Sequence, residues 1–298
     1  MDAMTDAIVR YRRYLKRRNY SPHTIRNYMN TLKHFVLWLD EPIEKVSYKK
    51  IAHYIDFLQR KGLKPKTINS HLDSIRGFYY HLQDEEGVAI SNPVKRGYAL
   101  RLPKPLPRHL RDEQVPHLFG EIQHPRDRAL FLVMLRCGLR VEEVANLTAG
   151  ALDLKGRRIF VHHGKGGKDR VVYMSHDVYR ALIQYLKVRF SERAKKLFLV
   201  EKGTYKGKPI SVRGIQKRME YYARKSNLKV SCHHLRHTMA TQLLNADADL
   251  VTIQDLLGHS RIKTTQRYCT VSNLKVQRDY FKAMDLIMQG RGGEGVMT

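Results

Sequence analysis

The chain has 298 residues, in which 55 lysines and arginines outnumber 28 aspartates and glutamates and give a formal net charge of +27. A chain of this length can form two domains, each with its own hydrophobic core. The basic excess is spread along the whole sequence, which indicates that both domains face a polyanion and argues against a single basic tail. No apolar run approaches the roughly 18 residues that a membrane span requires, so we expect no membrane partner.

The three cysteines, Cys137, Cys232 and Cys269, show no paired spacing. They argue against a disulfide framework and fit a reducing compartment. The first residues also lack the apolar stretch of a signal peptide. We therefore expect a cytoplasmic protein.

Residues 1–90 predict a domain of four helices, because apolar residues recur there at helical spacing. The second helix is expected to begin with Ser21 as its N-cap and Pro22 at its first position. The clearest stripe, in the fourth helix, consists of Ile68, Leu72, Ile75, Tyr79 and Leu82. Three basic side chains of this domain are candidate phosphate contacts, although ordinary solvated charge explains them equally well: Lys64, Lys66 and Arg76.

Residues 91–110 are interpreted as a linker, since four of the ten prolines fall there together with five basic residues and no acid. Such a segment is extended and semi-rigid, and it suits a basic strap between two domains. Its Arg101 and Lys104 are further candidate phosphate contacts. A second domain is predicted over residues 111–289, and residues 290–298 are expected to be disordered.

A buried helix is predicted at the centre of the second domain, because residues 126–138 are apolar on most sides. Gly138 ends it, and Arg140 follows at the start of another helix with Glu143 three residues on. Taken alone, Arg140 could be an ordinary surface arginine at a helix start.

A hairpin is predicted next, with Ile159 and Val161 in one strand and the alternating pair Val171 and Tyr173 in the other. The glycine-rich turn between them, residues 164–169, contains Lys165 and Lys168. This turn is not a phosphate-binding P-loop, because the Ser or Thr that should follow the lysine is missing.

Candidate catalytic side chains are concentrated in residues 232–268. His233 and Arg236 lie three apart on a predicted amphipathic helix and are therefore neighbours on its surface. A second helix is expected to run from Asp249 to Gly258, which would place His259 at a helix end. Tyr268 follows nine residues later.

These residue types suit attack on a phosphodiester without a metal ion. Arginine offers a permanently charged fork that matches phosphate oxygens, histidine moves protons near neutral pH, and a tyrosine hydroxyl can act as a covalent nucleophile. A zinc site built from His233, His237, His259 and Cys269 is an alternative, but Arg236 would place a fixed positive charge beside the metal. A purely structural role for each residue is the other alternative.

As a whole, the pattern resembles the tyrosine recombinases, also called the phage integrase family. The resemblance rests on His233–Arg236, on Leu257-Gly258-His259 with Tyr268 nine residues on, and on Gly138-Leu139-Arg140 with Glu143. It covers essentially the whole chain and is closest to compact Xer-like or mobile-element recombinases. The implied fold class is mainly α with a small antiparallel sheet (α+β), with an N-terminal four-helix DNA-binding domain and a C-terminal catalytic domain.

The resemblance implies a role for each site residue. Tyr268 is the nucleophile, and the other catalytic positions are Arg140, Lys165, His233, Arg236 and His259, with Glu143 in support. Lys165 in the Gly-Lys-Gly element is the best match to the family's lysine, and Lys168 is the second choice; Lys168 is also a candidate DNA contact.

The implied reaction cuts and rejoins duplex DNA at a recombination site through a 3′-phosphotyrosyl bond and a Holliday junction, with no cofactor, metal or ATP. It requires a tetramer on two DNA sites, and a C-terminal helix over residues 273–289 is expected to dock on a neighbouring protomer. Three alternatives remain at this stage: a type IB topoisomerase that relaxes DNA as a monomer, a DNA-binding regulator without catalysis, and a zinc hydrolase that would need stoichiometric metal.

Overall fold

A computed structural model of the chain is mainly helical, with a small antiparallel sheet, which confirms the predicted fold class. The chain divides into two compact units, Met1–Lys104 and Pro105–Thr298. No helix in the described part of the chain is long and apolar enough to cross a membrane. The structure describes residues 2–103, 107–162, 169–190, 194–258, 262–266, 278, 280–281 and 283–285.

The first unit contains the four predicted helices, α1 (Asp2–Arg17), α2 (Pro22–Trp38), α3 (Tyr48–Arg60) and α4 (Pro65–Asp84). Ser21 caps α2 as predicted: its Oγ accepts a hydrogen bond from the Thr24 backbone N–H at 3.1 Å, and Pro22 takes the first helical position. The predicted stripe of α4 is at most 2% exposed at all five positions. Burial of such a stripe stabilises a helix more than its intrinsic propensity does.

The core of the first unit also includes a tyrosine that the periodicity did not single out. Tyr54 on α3 is 0% exposed. Its hydroxyl lies 3.0 Å from Nδ1 of His71 on α4, which satisfies the polar end of an otherwise apolar side chain. A buried tyrosine of this kind needs a partner that is distant in sequence, and a local pattern cannot reveal it.

The segment after α4 packs back on the first unit. Val94 is 3% exposed, and Asn69 exchanges hydrogen bonds with both backbone groups of Leu100, at 2.9 Å and 2.8 Å. The first part of the predicted linker is therefore ordered against its own unit. The domain limits at residues 90, 110 and 289 stay predictions, and the tail 290–298 lies outside the described residues.

The second unit is built around α6 (Pro125–Arg136), which is buried on almost all sides as predicted, with residues 129–135 at most 5% exposed. Asp127 near its start is fully buried and accepts hydrogen bonds from Arg126, Arg218 and Tyr222. The α-helices in the described part of this unit are α5 (Gln114–Glu121), α6 (Pro125–Arg136), α7 (Val141–Asn146), α8 (His176–Val188), α9 (Val212–Lys225), α10 (Cys232–Asn245), α11 (Leu250–Leu257) and α12 (Ile262–Gln266).

The sheet consists of β1 (Leu152–Asp153), β2 (Arg158–Val161) and β3 (Arg170–Tyr173), in that order and antiparallel. The predicted hairpin is present, but the alternation predicted for its second strand is offset by one residue. Val172 is buried because it pairs with Ile159 and shares its inward face, whereas Val171 and Tyr173 are 38% and 64% exposed. Register decides which face each residue takes, and the sequence of β3 alone, with three apolar residues in a row, left it open.

Candidate active site

The site is organised around the end of α11. Asp249 caps the start of this helix, where its carboxylate accepts from the backbone N–H groups of Val251 and Thr252 at 2.8 Å and 3.2 Å. Gly258 ends it in the left-handed conformation, with φ +59°, as the predicted C-cap. The last carbonyl groups of a helix lack partners within the helix, so they are open to side-chain donors.

Three arginines donate to three successive carbonyl groups at this helix end. Arg170 Nε lies 2.9 Å from the carbonyl oxygen of Leu256, Arg236 Nη2 donates to that of Leu257, and Arg140 Nη2 lies 3.1 Å from that of Gly258. The negative end of the helix dipole favours this gathering of positive charge. Three guanidinium groups are thus fixed around the residues that directly precede His259.

Arg140 is placed by the start of α7, as the motif predicted. It occupies the N-cap position, and the Glu143 carboxylate accepts both its backbone N–H and its Nη1 donor, each at 2.8 Å. The carboxylate thereby satisfies an otherwise unpaired N–H at the helix start and fixes the guanidinium at the same time. The Arg140 side chain keeps 21% exposure, so it remains accessible.

Arg236, by contrast, is buried at 2% exposure on α10. Its Nη1 donates to the carbonyl group of Gly138 and its Nη2 to that of Leu257, which ties the turn before Arg140 to the end of α11. Gly138 has φ +66°, and a Cβ there would lie 2.5 Å from Sδ of Met239. The turn therefore favours glycine for its conformation, and a larger residue would also displace the Met239 side chain.

Glu143 is nearly buried and contacts a second arginine. Arg170, the first residue of β3, donates Nη1 and Nη2 to the two carboxylate oxygens at 2.9 Å and 2.7 Å. Burial on its own would raise the pKa of Glu143, but the hydrogen bonds and charge of Arg170, with those of Arg140, lower it to about 2. The carboxylate is therefore ionised throughout the neutral range.

Two adjacent histidines on α10 differ in their surroundings. His234 accepts the Ser231 backbone N–H on Nδ1 at 3.3 Å and thus caps the helix start. Burial, followed by the positive charge of Arg108, lowers the pKa of His234. His233 is exposed, and its ring centroid lies 4.4 Å from that of His237. Of the pair, His233 is the residue presented to solvent.

Several predicted residues lie outside the described part of the chain: Lys104, Lys165, Lys168, His259 and Tyr268. The zinc alternative depends in part on the same region, because His259 and Cys269 would be two of its four ligands. Among the described residues, no group of three His, Cys, Asp or Glu side chains is arranged to hold a metal ion.

The candidate phosphate contacts of the first unit fall into two kinds. Lys64, Lys66 and Arg101 are exposed. Arg76 is only 20% exposed in its side chain, and it donates to Asp73 at 2.9 Å and, through long bonds of 3.4 Å, to the carbonyl groups of residues 94 and 95. These contacts give Arg76 a role within its own unit.

Arg170 is the site residue that the sequence did not reveal. It lies two residues after Lys168 at the start of a short strand, and its partner Glu143 is 27 residues away. The only signal was indirect, since a buried carboxylate with two oxygens can accept more than one arginine. Together, Arg140 and Arg170 place two permanent positive charges on one carboxylate, so a net positive charge remains to attract a phosphate.

Comparison with known families agrees with this geometry. Residues 108–274 match the phage integrase family, and residues 8–86 match the phage integrase N-terminal SAM-like domain. The chain is 34% identical over 288 residues to tyrosine recombinase XerC of Halalkalibacterium halodurans, with 90% of this chain and 93% of the relative covered. It is 30% identical over 292 residues to tyrosine recombinase XerA of Thermococcus kodakarensis, with 97% and 99% covered.

Solved structures show the same fold. The Tn1549 transposon integrase in complex with circular intermediate DNA superposes with a TM-score of 0.73 at 23% identity, covering 88% of this chain and 94% of that one. A lambda integrase dimer bound to a core site superposes with a TM-score of 0.71 at 16% identity, covering 89% and 76%. The predicted resemblance is confirmed, and the chain belongs to the phage integrase family as an Xer-like tyrosine recombinase.

Proposed function

We propose that this recombinase cuts and rejoins duplex DNA at specific sites through a 3′-phosphotyrosyl intermediate at Tyr268. One observation supports the proposal above all: Arg140 and Arg236 are fixed to adjacent carbonyl groups at the end of α11, directly before His259. Guanidinium groups held rigidly in this way suit the non-bridging oxygens of a phosphate. The limits of the domains that carry these residues are proposed at residues 90, 110 and 289.

In the first step, the Tyr268 hydroxyl oxygen attacks phosphorus and passes its proton to His233. The bond from phosphorus to the 5′ oxygen breaks, and that oxygen takes a proton from Lys165, with His233 assisting proton transfer. Arg140 and Arg236 hold the non-bridging oxygens, and His259 adds a hydrogen bond. The phosphotyrosyl bond conserves the energy of the broken diester, so no ATP is consumed.

In the second step, a 5′ hydroxyl of a partner duplex attacks the phosphotyrosyl bond and releases Tyr268. Exchange of one strand in this way produces a Holliday junction, and exchange of the other resolves it. The reaction needs two duplexes, and we propose a tetramer assembled on them. The lambda integrase dimer bound to a core site, which shares this fold, supports binding of one DNA site by two protomers.

Binding of the duplex is assigned to exposed cations on both units. Lys64, Lys66 and Arg101 are exposed on the first unit, and Lys104 and Lys168 are assigned the same role from the sequence. The overall charge of +27 supports a large electrostatic contribution to affinity. We place the protein in the cytoplasm with the nucleoid, where its substrate is found.

The C-terminal segment is proposed to dock on a neighbouring protomer. In the described part of residues 273–289, Tyr280 and Phe281 are 58% and 54% exposed. Arg278 contacts the same chain, donating to the Asn245 carbonyl group and to Asp247 at 2.9 Å each. Adjacent exposed aromatic rings favour an apolar partner surface, and head-to-tail docking around a ring would bury them in every protomer.

The test is covalent capture of DNA. A pool of nicked duplexes with randomised sequence is incubated with the protein, denatured, and searched for protein-linked DNA, which is then recovered and sequenced. The wild type is expected to select a defined site. Tyr268→Phe is expected to bind the selected duplex with unchanged affinity and to form no adduct, because phosphate contacts supply the affinity and the hydroxyl supplies the bond. Adduct formation by Tyr268→Phe would refute the assignment.

A further inference from the structure

A buried arginine outside the predicted site connects three of its parts. Arg170 contacts Glu143 through both terminal nitrogens and the carbonyl group of Leu256 through Nε. Its side chain is only 9% exposed. Each of its three guanidinium nitrogens donates to a protein group, so we assign the side chain to these contacts and not to a DNA phosphate.

The Glu143 carboxylate is shared between two arginines. One oxygen accepts Arg140 Nη1 and Arg170 Nη1 at 2.8 Å and 2.9 Å, and the other accepts the Arg140 backbone N–H and Arg170 Nη2 at 2.8 Å and 2.7 Å. Each arginine thus approaches a different side of the same anion. Rotation of the carboxylate would break bonds to both, so Arg170 locks the orientation in which Glu143 holds Arg140.

Because Arg170 lies at the start of β3, its contacts also connect the sheet to α11. Arg170 begins β3, five residues after Lys165 in the chain, and it pairs with Val161 on β2. Its Nε bond fixes the start of β3 to the end of α11. Gly258 lies against the same side chain, since a Cβ there would come within 3.1 Å of Arg170 Cδ.

We propose that Arg170 is a positioning residue for DNA cleavage, which acts through Glu143 to hold Arg140 in place and joins the hairpin to the end of α11. This inference deepens the proposed function and rests on it. Arg170 does not touch the reacting phosphate. Its removal is expected to slow the covalent step while leaving DNA affinity nearly unchanged.

The test compares Arg170→Gln with the matched control Arg158→Gln. Arg158 belongs to the same sheet and also pairs with a carboxylate, Asp153 at 2.7 Å, but its side chain is 49% exposed and outside the site. The rate of adduct formation is measured in single turnover on the duplex selected by the wild type. Arg170→Gln is expected to slow it by about 100-fold, as a small misplacement of a catalytic group does. Arg158→Gln is expected to match the wild type.

The pH profile separates positioning from general structural damage. Among the described residues, Arg140 and Arg170 are the charged groups that contact Glu143. Without Arg170, burial of Glu143 is less well offset, so its pKa rises and protonation weakens its hold on Arg140. Arg170→Gln is therefore expected to lose further activity, relative to the wild type, as the pH falls from about 7 towards 5. This additional loss of activity at low pH should be absent in the double variant Arg170→Gln with Glu143→Gln, because the glutamine amide does not titrate.

The combined variant also shows whether Arg170 acts through Glu143. If it does, Arg170→Gln in a Glu143→Gln background slows cleavage by less than about 5-fold. If Arg170→Gln slows cleavage as much in the Glu143→Gln protein as in the wild type, the inference is overturned. Cleavage by Arg170→Gln at the wild-type rate would overturn it as well. If a thermal melt shows that Arg170→Gln does not fold, Arg170→Lys replaces it in the test. The lysine ammonium group cannot form the paired bonds to Glu143, so cleavage by Arg170→Lys at the wild-type rate would also overturn the inference. Absence of any adduct with wild type and Arg158→Gln would instead refute the proposed function.

Discussion

The Glu143 carboxylate accepts both the backbone N–H and the Nη1 donor of Arg140, at 2.8 Å each, so one acidic side chain caps a helix and fixes a site arginine. The pairing explains why the acid lies three residues after the arginine, since at this spacing a glutamate side chain reaches back to the N–H group at the start of its own helix. The same spacing supported the resemblance in the sequence. Loss of the carboxylate is therefore expected to affect both stability and the site.

Glu143→Gln is expected to reduce the free energy of unfolding at neutral pH. The pKa of Glu143 falls from its usual 4.5 to about 2 in the folded protein. The lowered pKa contributes stability above about pH 4.5, which is lost as the pH falls towards 2, and the shift corresponds to on the order of 3 kcal/mol. Urea denaturation of both proteins at pH 7, 5 and 3 measures the difference. It should shrink at pH 3, and a pH-independent difference would contradict the assigned cause.

Lys165→Ala is expected to slow adduct formation by about 10² to 10⁴-fold, the usual contribution of a general acid. A substrate with sulfur at the 5′ bridging position should restore cleavage, because a thiolate leaves without taking a proton. Single-turnover cleavage of both substrates measures the rescue. Failure of the sulfur substrate to rescue Lys165→Ala would move the acid elsewhere, and Lys168→Ala would then be compared in the same way.

Excess EDTA is expected to leave adduct formation unchanged. In the proposed mechanism, the positive charge that a metal ion would bring to the phosphate comes from Arg140 and Arg236, which are held at the end of α11. Cleavage of the selected duplex is measured before and after dialysis against EDTA. Loss of cleavage that zinc or magnesium restores would revive the zinc alternative, with His233 and His237 as its first ligands to test.

Lys66→Ala and Arg76→Ala are expected to differ. Lys66 is exposed, so its removal should weaken DNA binding. The magnitude of the slope of log affinity against log salt concentration should fall by about 1, which corresponds to the loss of one phosphate contact. Arg76 donates to Asp73 and to backbone carbonyl groups, so its removal should lower the melting temperature with little change in that salt dependence. Binding titrations at several salt concentrations, with a thermal melt of each variant, measure both effects. An unchanged salt slope for Lys66→Ala would remove it from the DNA surface.

The sequence predicted the elements better than it predicted the contacts between them. The four helices of the first unit, the buried α6 and the caps Ser21 and Gly258 follow from local periodicity and backbone preference, which act within a few residues. The inward face of β3 depended instead on its pairing with β2, so Val171 was placed on the wrong face. Tertiary pairing, unlike helical spacing, leaves no local signal.

For the site, too, the sequence revealed local motifs but not the contacts between distant elements. Arg140, Glu143 and Arg236 were identified from motifs, and the structure brings Arg140 and Arg236 to one helix end. Arg170 was missed because its three acceptors come from α7 and α11, which are far from it in the chain. An arginine at a strand start is ordinarily exposed, and only the packed structure shows that this one is buried against a carboxylate.

The final prediction concerns the exposed aromatic pair near the C-terminus. Tyr280 and Phe281 are 58% and 54% exposed in the single chain, so replacing them removes little packing within it. If they dock on a neighbouring protomer, the double change Tyr280→Ser with Phe281→Ser removes an apolar anchor from each interface of the ring, because a cyclic assembly repeats one contact. We therefore expect the double variant to melt at the wild-type temperature and bind a single DNA site normally, but to form no tetramer on two sites. Mass measurement of the DNA complexes by light scattering tests this, with Tyr205→Ser as the control because Tyr205 is 65% exposed elsewhere in the same unit.

A large drop in the melting temperature of the double variant would show that the segment packs on its own chain. Tetramers of normal stability would show that the assembly is held by other surfaces.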